Sequence, residues 1–273
     1  MKPIRMFLLG MSFLGTTAAF AQSASQNVHS GNIHSGKIHY EGMQKIDQSQ
    51  MRIVINGETV QPGSPNFPAD LPEVRSFAQT LTFDSRLGKE ERESGNVMVR
   101  VVSDGPPGGP ERRQRTDLGR PFEELTYFDF ASRQVIRMLG VKDGDKTNWY
   151  RSASAMSQAA GWQDTDKTKK IAGLTCRKAT VPHKNETYTV WYTTDLPFTY
   201  SPIAALTPAS GVILEIEGPR ESFKATKIDT KADVSALKPA ENAEAVSTEQ
   251  LNDLRQKALA DFRAKMMNEI ERN

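Results

Sequence analysis

Cysteine is almost missing from this 273-residue chain, where Cys176 stands alone. A disulfide framework needs pairs, so core packing has to hold the fold. Histidine is nearly as scarce, with four residues. Nucleophilic triads of the Ser-His-Asp or Cys-His type need a histidine as base. The body of the chain offers only His183, in VPHKNE, and His39 near its start. His183 falls between two strand-like segments, at an exposed hairpin tip, and is not expected to be catalytic. The sequence shows no G-x-S-x-G, H-E-x-x-H, P-loop or Rossmann glycine pattern. A carboxylate pair for glycoside chemistry is a tertiary arrangement, and nothing in the sequence singles one out. Net charge is close to zero too: 35 basic and 33 acidic side chains give +2. The first 21 residues hold two of the basic groups, Lys2 and Arg5, and no acid, which leaves 33 of each sign beyond them. Such a balance gives no general attraction to nucleic acid or to anionic membrane.

Long apolar runs are absent apart from one. MKPIRMFLLGMSFLGTTAAFAQ sets Lys2 and Arg5 before an apolar stretch that ends at Phe20. That stretch is shorter than the roughly 20 apolar residues of a membrane span. Ala19-Phe20-Ala21 is a small-x-small cleavage site. The three parts together read as a secretory signal peptide over residues 1–21. No cysteine follows the site, so a lipoprotein anchor is not expected. The expected location is exported, either periplasmic or secreted, with no transmembrane anchor after signal removal.

Three of the four histidines fall in NVHSGNIHSGKIHYEG, at His29, His34 and His39, five residues apart. Two readings are open. In an extended chain a five-residue step is odd, so successive imidazoles point to opposite faces. His29 and His39 share a face but lie roughly 33 Å apart at full extension. A straight strand therefore cannot gather all three onto one ion. Turns at Ser30-Gly31 and Ser35-Gly36 would let a flexible arm, residues 22–36, fold back and bind copper, zinc or nickel through His29, His34 and His39. The plainer reading is a duplicated lead-in to a first strand.

From Lys37 to about residue 230 the chain reads as one β domain. KIHYEGMQKI alternates, with Ile38 and Tyr40 opposite His39. MRIVING, residues 51–57, ends at an Asn-Gly turn signal. Residues 61–73 carry four prolines and read as a surface loop. FAQTLTFD and NVMVRVV are strand candidates. Residues 103–119, SDGPPGGPERRQRTDLG, read as a solvated loop: Arg112, Arg113 and Arg115 are flanked by Glu111 and Asp117, without interleaved aromatics. ELTYFDFAS and RQVIRMLGV are strands, and the Asp-Gly at residues 143–144 is a hairpin turn rather than a calcium loop, whose closing glutamate is missing. LTCRKATV, ETYTVWYTTD, GVILEIEG and SFKATKID follow as short β-branched and aromatic segments. The expected architecture is mostly β, an antiparallel meander curved into a half-barrel or sandwich. A linker covers residues 231–247. Residues 248–272 then form an amphipathic helix, with Ser247 and Gln250 as a capping box. Leu251, Leu254, Ala258, Phe262, Met266 and Ile270 make its apolar stripe. That stripe either packs on the sheet or docks to an envelope or outer-membrane protein.

KKIAGLTCRKAT, YTVWYTTDLPFTYSP and GVILEIE resemble the GLPGLI family of exported proteins, found mainly in Bacteroidota. Lys170, Ile171, Gly173, Cys176, Lys178 and Ala179 match its first element; Tyr188, Trp191, Tyr192, Thr193 and Pro197 match its second. The naming turn is altered, with two residues between Pro208 and Gly211, and Ser201-Pro202 stands for a Gly-Pro. The resemblance implies an envelope location and a β fold but no catalytic residues. Within it, Trp191 and Tyr192 occupy opposite faces of one strand, which a strand covered on both sides requires. Cys176 shares a face with Leu174 and reads as a buried, inert thiol. These three are the candidate ligand-binding or structural residues. The expected function is an exported, non-enzymatic accessory or binding protein, with its ligand on the concave sheet or near Trp191. A periplasmic metal-binding role for the histidine arm is the alternative.

Overall fold

A computed structural model describes residues 33–47, 53–55, 58–61, 63–65, 67, 73–93, 97–103, 111–117, 121–235 and 237–272. The elements in chain order are β1 (Gly36–Lys45), β2 (Ile53–Ile55), β3 (Glu58–Val60), β4 (Val74–Phe83), β5 (Leu87–Arg92), β6 (Val97–Ser103), β7 (Glu111–Asp117) and β8 (Phe122–Asp129). They continue with β9 (Gln134–Asp143), β10 (Lys146–Ala155), β11 (Gln163–Ile171), β12 (Leu174–His183), β13 (Glu186–Thr193), β14 (Val212–Glu217), β15 (Glu221–Asp229), β16 (Glu244–Ala245) and α1 (Thr248–Arg272). Twelve strands make one open sheet, in the order β11-β12-β13-β14-β15-β1-β4-β5-β8-β9-β10-β16. It does not close into a barrel. The pairs β2–β3 and β6–β7 form two small separate hairpins. Among the described residues the protein is thus mostly β with a single α-helix, at the C-terminal end, as the sequence pattern predicts.

β1 sits in the middle, between β15 and β4. Its alternation does what the sequence implies: Ile38, Tyr40 and Gly42 are buried, while Lys37 and His39 are half-exposed on the other face. The strand therefore joins the two meanders of the sheet, one running out to β11 and the other to β10. The β9–β10, β11–β12 and β12–β13 hairpins turn through two residues. Lys184 and Asn185, at the β12–β13 tip, both have positive φ, 50° and 63°. That is the requirement of a type I′ turn, whose twist matches the strands it joins.

The inner face of the sheet is filled by the chain itself. The connection between β13 and β14, residues 194–211, crosses it and buries Leu196, Phe198, Tyr200 and Leu206. Phe198 packs on Phe83 at 4.7 Å and stacks on Phe130 at 4.4 Å between centroids. Tyr200 meets Phe128 edge-on at 5.2 Å. The phenols of Tyr40 and Tyr200, buried in this core, are paired, as a low-dielectric interior requires. The Tyr200 hydroxyl donates to Glu90 Oε2 at 2.7 Å and accepts from Gln79 Nε2 at 2.9 Å. The Tyr40 hydroxyl donates to the Ile213 carbonyl at 2.9 Å.

Farther along the same face lies α1. The register pairs Phe128–Val135, Thr126–Arg137, Glu124–Leu139 and Phe122–Val141 follow each other at two-residue steps, so all lie on one side of the sheet. Phe128 and Val135 belong to the core under Tyr200, whereas Phe122, Leu139 and Val141 pack beneath Leu251, Leu254, Ala258 and Leu259 of α1. The helix stripe therefore packs on the sheet over its first turns, and Phe262 is half-buried. The side chains of Met266 and Ile270 lie outside the described residues. The capping box forms: Gln250 N–H donates to Ser247 Oγ at 3.1 Å, and Ser247 N–H donates to Gln250 Oε1 at 2.8 Å.

The segment before the helix is not a free linker. Leu237 and Ala243 are buried, and Ala243 packs with Tyr127 and Met138 on the face opposite the helix. β16 then pairs in parallel with β10, and the chain passes round that edge onto the inner face. An exposed row of backbone donors and acceptors is thereby covered. At the other end β11 carries Lys167, Lys169 and Lys170, charges that discourage edge-to-edge pairing.

Several strands depart from the sequence reading, among them β5, β7, β11 and, inside the expected linker, β16. β7 occupies residues expected in a solvated loop: Glu111–Asp117 pairs residue for residue with the valine-rich β6. β5 and β11 are equally charged and equally without a β signature. Their backbones are held by apolar neighbours, so their own side chains need not carry a strand pattern.

Two measurements test this packing. Leu251→Ala is expected to cost about 2–4 kcal/mol, and Ser247→Ala about 0.5–2 kcal/mol, both read by urea unfolding. Burial raises the Glu90 carboxyl above its ordinary value, against the hydrogen bond from Tyr200 and the charges of Arg92 and Arg137. Folding therefore favours protonated Glu90: its stability contribution is present below the unfolded pKa and is lost as pH rises through the folded one. Glu90→Gln should stabilise the protein at neutral pH, and the gain should shrink toward about pH 4. A gain independent of pH would contradict this assignment.

Candidate functional site

With the inner face filled, the open concavity lies at one end of the sheet, beyond β1, the β12–β13 tip and the β14–β15 turn. This cleft measures about 1030 Å³. Its walls include Gln44 near the end of β1 and Asp47 after it, Glu73 before β4, His183, Glu186 and Tyr188 of the hairpin, Arg220 of the β14–β15 turn and Glu221 at the start of β15. Backbone bonds tie the walls together: Lys45 N–H donates to the Arg220 carbonyl at 2.7 Å, and Ile46 N–H to the Glu73 carbonyl at 2.8 Å.

Tyr188 sets the cleft's centre. It is 4% exposed and lies against Gly218, where a Cβ would collide with its ring. That close approach is why the turn needs glycine. The phenol donates to Glu186 Oε2 at 3.4 Å, and Glu186 Oε1 accepts from Arg220 Nε at 3.1 Å. Both oxygens of Glu186 are thus engaged. Arg220 remains largely exposed, with 78% of its side chain open, and its guanidinium plane is anchored through Nε. Its pKa is raised by the Glu186 hydrogen bond and charge, with Asp47 adding. The Tyr188 phenol is pushed up by burial, then by the charges of Glu186 and Glu221. His183 stands over Tyr188 with ring centroids 6.2 Å apart. Fixed donors and acceptors thus converge beside a nearly buried aromatic ring.

The residues singled out by sequence lie elsewhere. Trp191 is 9% exposed, and its Nε1 has no hydrogen-bond partner among the described residues. Lys169 Nζ sits 4.1 Å from its ring centroid and pairs with the nearly buried Glu215 at 2.6 Å. Trp191 is therefore roofed by its own lysine. Tyr192, on the opposite strand face, donates to Asp164 Oδ1 at 2.7 Å and meets Trp162 edge-on at 5.2 Å. Strands β13 and β14 are covered on both sides, since Val212–Ile216 is buried without interruption. Cys176 is fully buried beside Leu174, and burial pushes its thiol up to about 12. His34 is exposed ahead of β1, and His39 is half-exposed on the outward face of β1. His29, the signal segment and most of the lead lie outside the described residues. No cluster of three metal-ligating side chains occurs among the described residues. His183 is at a hairpin tip, as expected, but as part of a cleft wall. No local motif marks the cleft; the Lys184-Asn185 turn and the Gly-Pro at residues 218–219 lie at its two rims.

A one-sheet β domain with an open polar cleft at its end is thus the class that fold and site define. Residues 110–254 match the family model of the N-glycanase peptide, N-terminal domain, and the chain belongs to that family. Among solved structures it is similar to PNGF-II in two space groups, at TM-scores of 0.50 and 0.51 and identities of 15% and 14%. Both alignments cover 82% of this chain but only 34% and 33% of those chains, so it spans about a third of their length. At that identity the likeness shows the fold. No curated protein matches the chain.

Cys176 offers a direct check of this burial. Its thiol should not react with a maleimide or aromatic disulfide reagent at pH 8 in the native protein and should react fully in denaturant. Rapid native labelling would contradict the packing described.

Proposed function

We propose that this protein is an exported accessory domain that binds glycan and does not cleave it. The observation that carries the reading is its membership of a family named for the N-terminal domain of an N-glycanase. That name points to Asn-linked glycan as the ligand class. The end cleft supplies matching chemistry: an anchored guanidinium, carboxylates and an aromatic floor in a concavity of about 1030 Å³. It is large enough for two or three sugar rings in a class of sites that spans about 300–1,000 Å³. Glu186, the carboxylate nearest the floor, is held by Arg220 and Tyr188, an arrangement that suits orientation more than proton transfer. The leader at residues 1–21 and the GLPGLI resemblance support an envelope or secreted setting. On this reading the ligand sits at the end cleft rather than on the mid-sheet face or at Trp191.

The test is calorimetry of the protein without its leader against a released N-glycan, alongside a deglycosylation assay on a glycoprotein. The expected result is saturable binding with no glycan release. Arg220→Ala should weaken binding at least tenfold, since it removes a charge-assisted donor set worth about 1.5–3 kcal/mol. Binding unaffected by Arg220→Ala would move the site elsewhere. Glycan release would make the domain an enzyme.

A further inference from the structure

Past Tyr200 the inner face runs on toward the end cleft in two further rows of side chains. Gly42 pairs with Phe223 on β15 and with Phe77 on β4. Gln44, two residues along the same face of β1, pairs with Glu221 and with Arg75. Gln44 and Glu221 line the cleft, so the two rows adjoin it. The Phe77 ring lies across Gly42, where a Cβ would collide with it, and meets Phe223 edge-on at 5.5 Å. Both rings are nearly buried, at 7% and 2% exposure. Their cover is Arg92. It pairs with Gln79, whose amide bonds Tyr200, and so stands on this same face of β5. The Arg92 guanidinium sits 3.7 Å from the Phe77 centroid and 6.0 Å from that of Phe223.

A guanidinium laid on a ring is anchored by its face, while its donors lie around its edge. The ion pairs among the described residues involve neither Arg92 nor Arg75. Glu90, two residues before Arg92 on the same face, is bonded to Tyr200. Burial lowers the Arg92 pKa, Glu221 and Glu90 oppose that, and Arg75 adds to it. Arg92 is thus a partly desolvated cation, rigidly seated and without a direct counter-ion among the described residues. An aliphatic side chain would cover Phe77 equally well, but it would not bring five N–H donors to the edge of a cleft.

Resting on the glycan-binding reading, we propose that Arg92, laid on Phe77 beside Arg75, is a subsite for the carboxylate of an acidic sugar whose neighbouring rings occupy the end cleft. A planar fork of donors matches a carboxylate in bidentate fashion, and such charge-assisted pairs are stronger than neutral hydrogen bonds. The aromatic seat holds the fork in place before the ligand arrives, which reduces the ordering cost of binding.

The experiment is a titration of the protein without its leader with a neutral biantennary N-glycan and with the same glycan terminated in sialic acid. It is run at about 20 mM and about 300 mM salt. The sialylated glycan should bind at least about fivefold more tightly at low salt, and the ratio should narrow at high salt. Arg92→Met keeps an apolar cover over Phe77 and removes the donors and the charge. It should bring the ratio close to one and leave neutral binding nearly unchanged, with folding checked by urea unfolding. Arg92→Gln carries the same expectation should the methionine variant not fold. Equal affinities, tighter neutral binding, or a preference for the sialylated glycan that survives these substitutions would overturn the subsite while leaving glycan binding intact. Absence of binding by either glycan would overturn the parent reading and this inference with it.

Discussion

The structure depends on the hydroxyl of Tyr200. An open sheet of this width has to cover its inner face, and here the chain does so with the connection between β13 and β14. Apolar contacts through Phe198 and Leu206 supply most of the driving force. They do not by themselves fix the strap's position along the face. Tyr200 does, by donating to Glu90 on β5 and accepting from Gln79 on β4. Those two strands belong to the meander on the far side of β1. One side chain thus adds hydrogen bonds between two halves of the sheet that are joined in the ladder through β1. An unpaired polar group buried in this core would cost about 1–3 kcal/mol, which is why the network is complete.

Several features follow from that closure. The strap occupies one part of the inner face and α1 the other, with Glu90, Thr126 and Arg137 on the sheet between them. The last segment of the chain reaches its place by running over the outer face and pairing β16 with β10, which also caps an edge. With mid-sheet space taken by the strap and α1, the end cleft lies where the β12–β13 and β14–β15 hairpins project beyond the sheet.

Legibility in the sequence varied with the source of each element's stability. β1, β9, β12, β13, β14 and β15 carry their own alternating or β-branched patterns and were readable. So was the helix, down to the Ser247–Gln250 capping box, because capping and stripe are local. β5, β7 and β11, with LGKEER, ERRQRTD and QDTDKTKKI, were not. Their strand state is imposed by backbone pairing with neighbours, and β propensity chiefly reports side-chain packing. Cys176 and Leu174 were readable as buried through their shared face. Trp191 and Tyr192 were readable as covered on both sides, but nothing local disclosed that Lys169 and Glu215 form the cover. The end cleft was the least legible feature. Gln44, Glu73, Tyr188 and Arg220 come from four separate places along the chain, and each looks like an ordinary surface residue until the sheet order brings them together.

What the sequence by itself determined is what depends on neighbours within a few residues: the β character, the turns, the capped helix and the face shared by Cys176 and Leu174. Periodicity, caps and turn chemistry act over one or two turns or a strand's length, so one chain suffices to read them. The tertiary structure alone decided the strand order, the burial of residues 194–211, the wrapping of residues 231–247 and the place of the cleft. These rest on contacts between segments far apart in the chain, whose partners are selected by the shape and polarity of the whole core rather than by any local pattern.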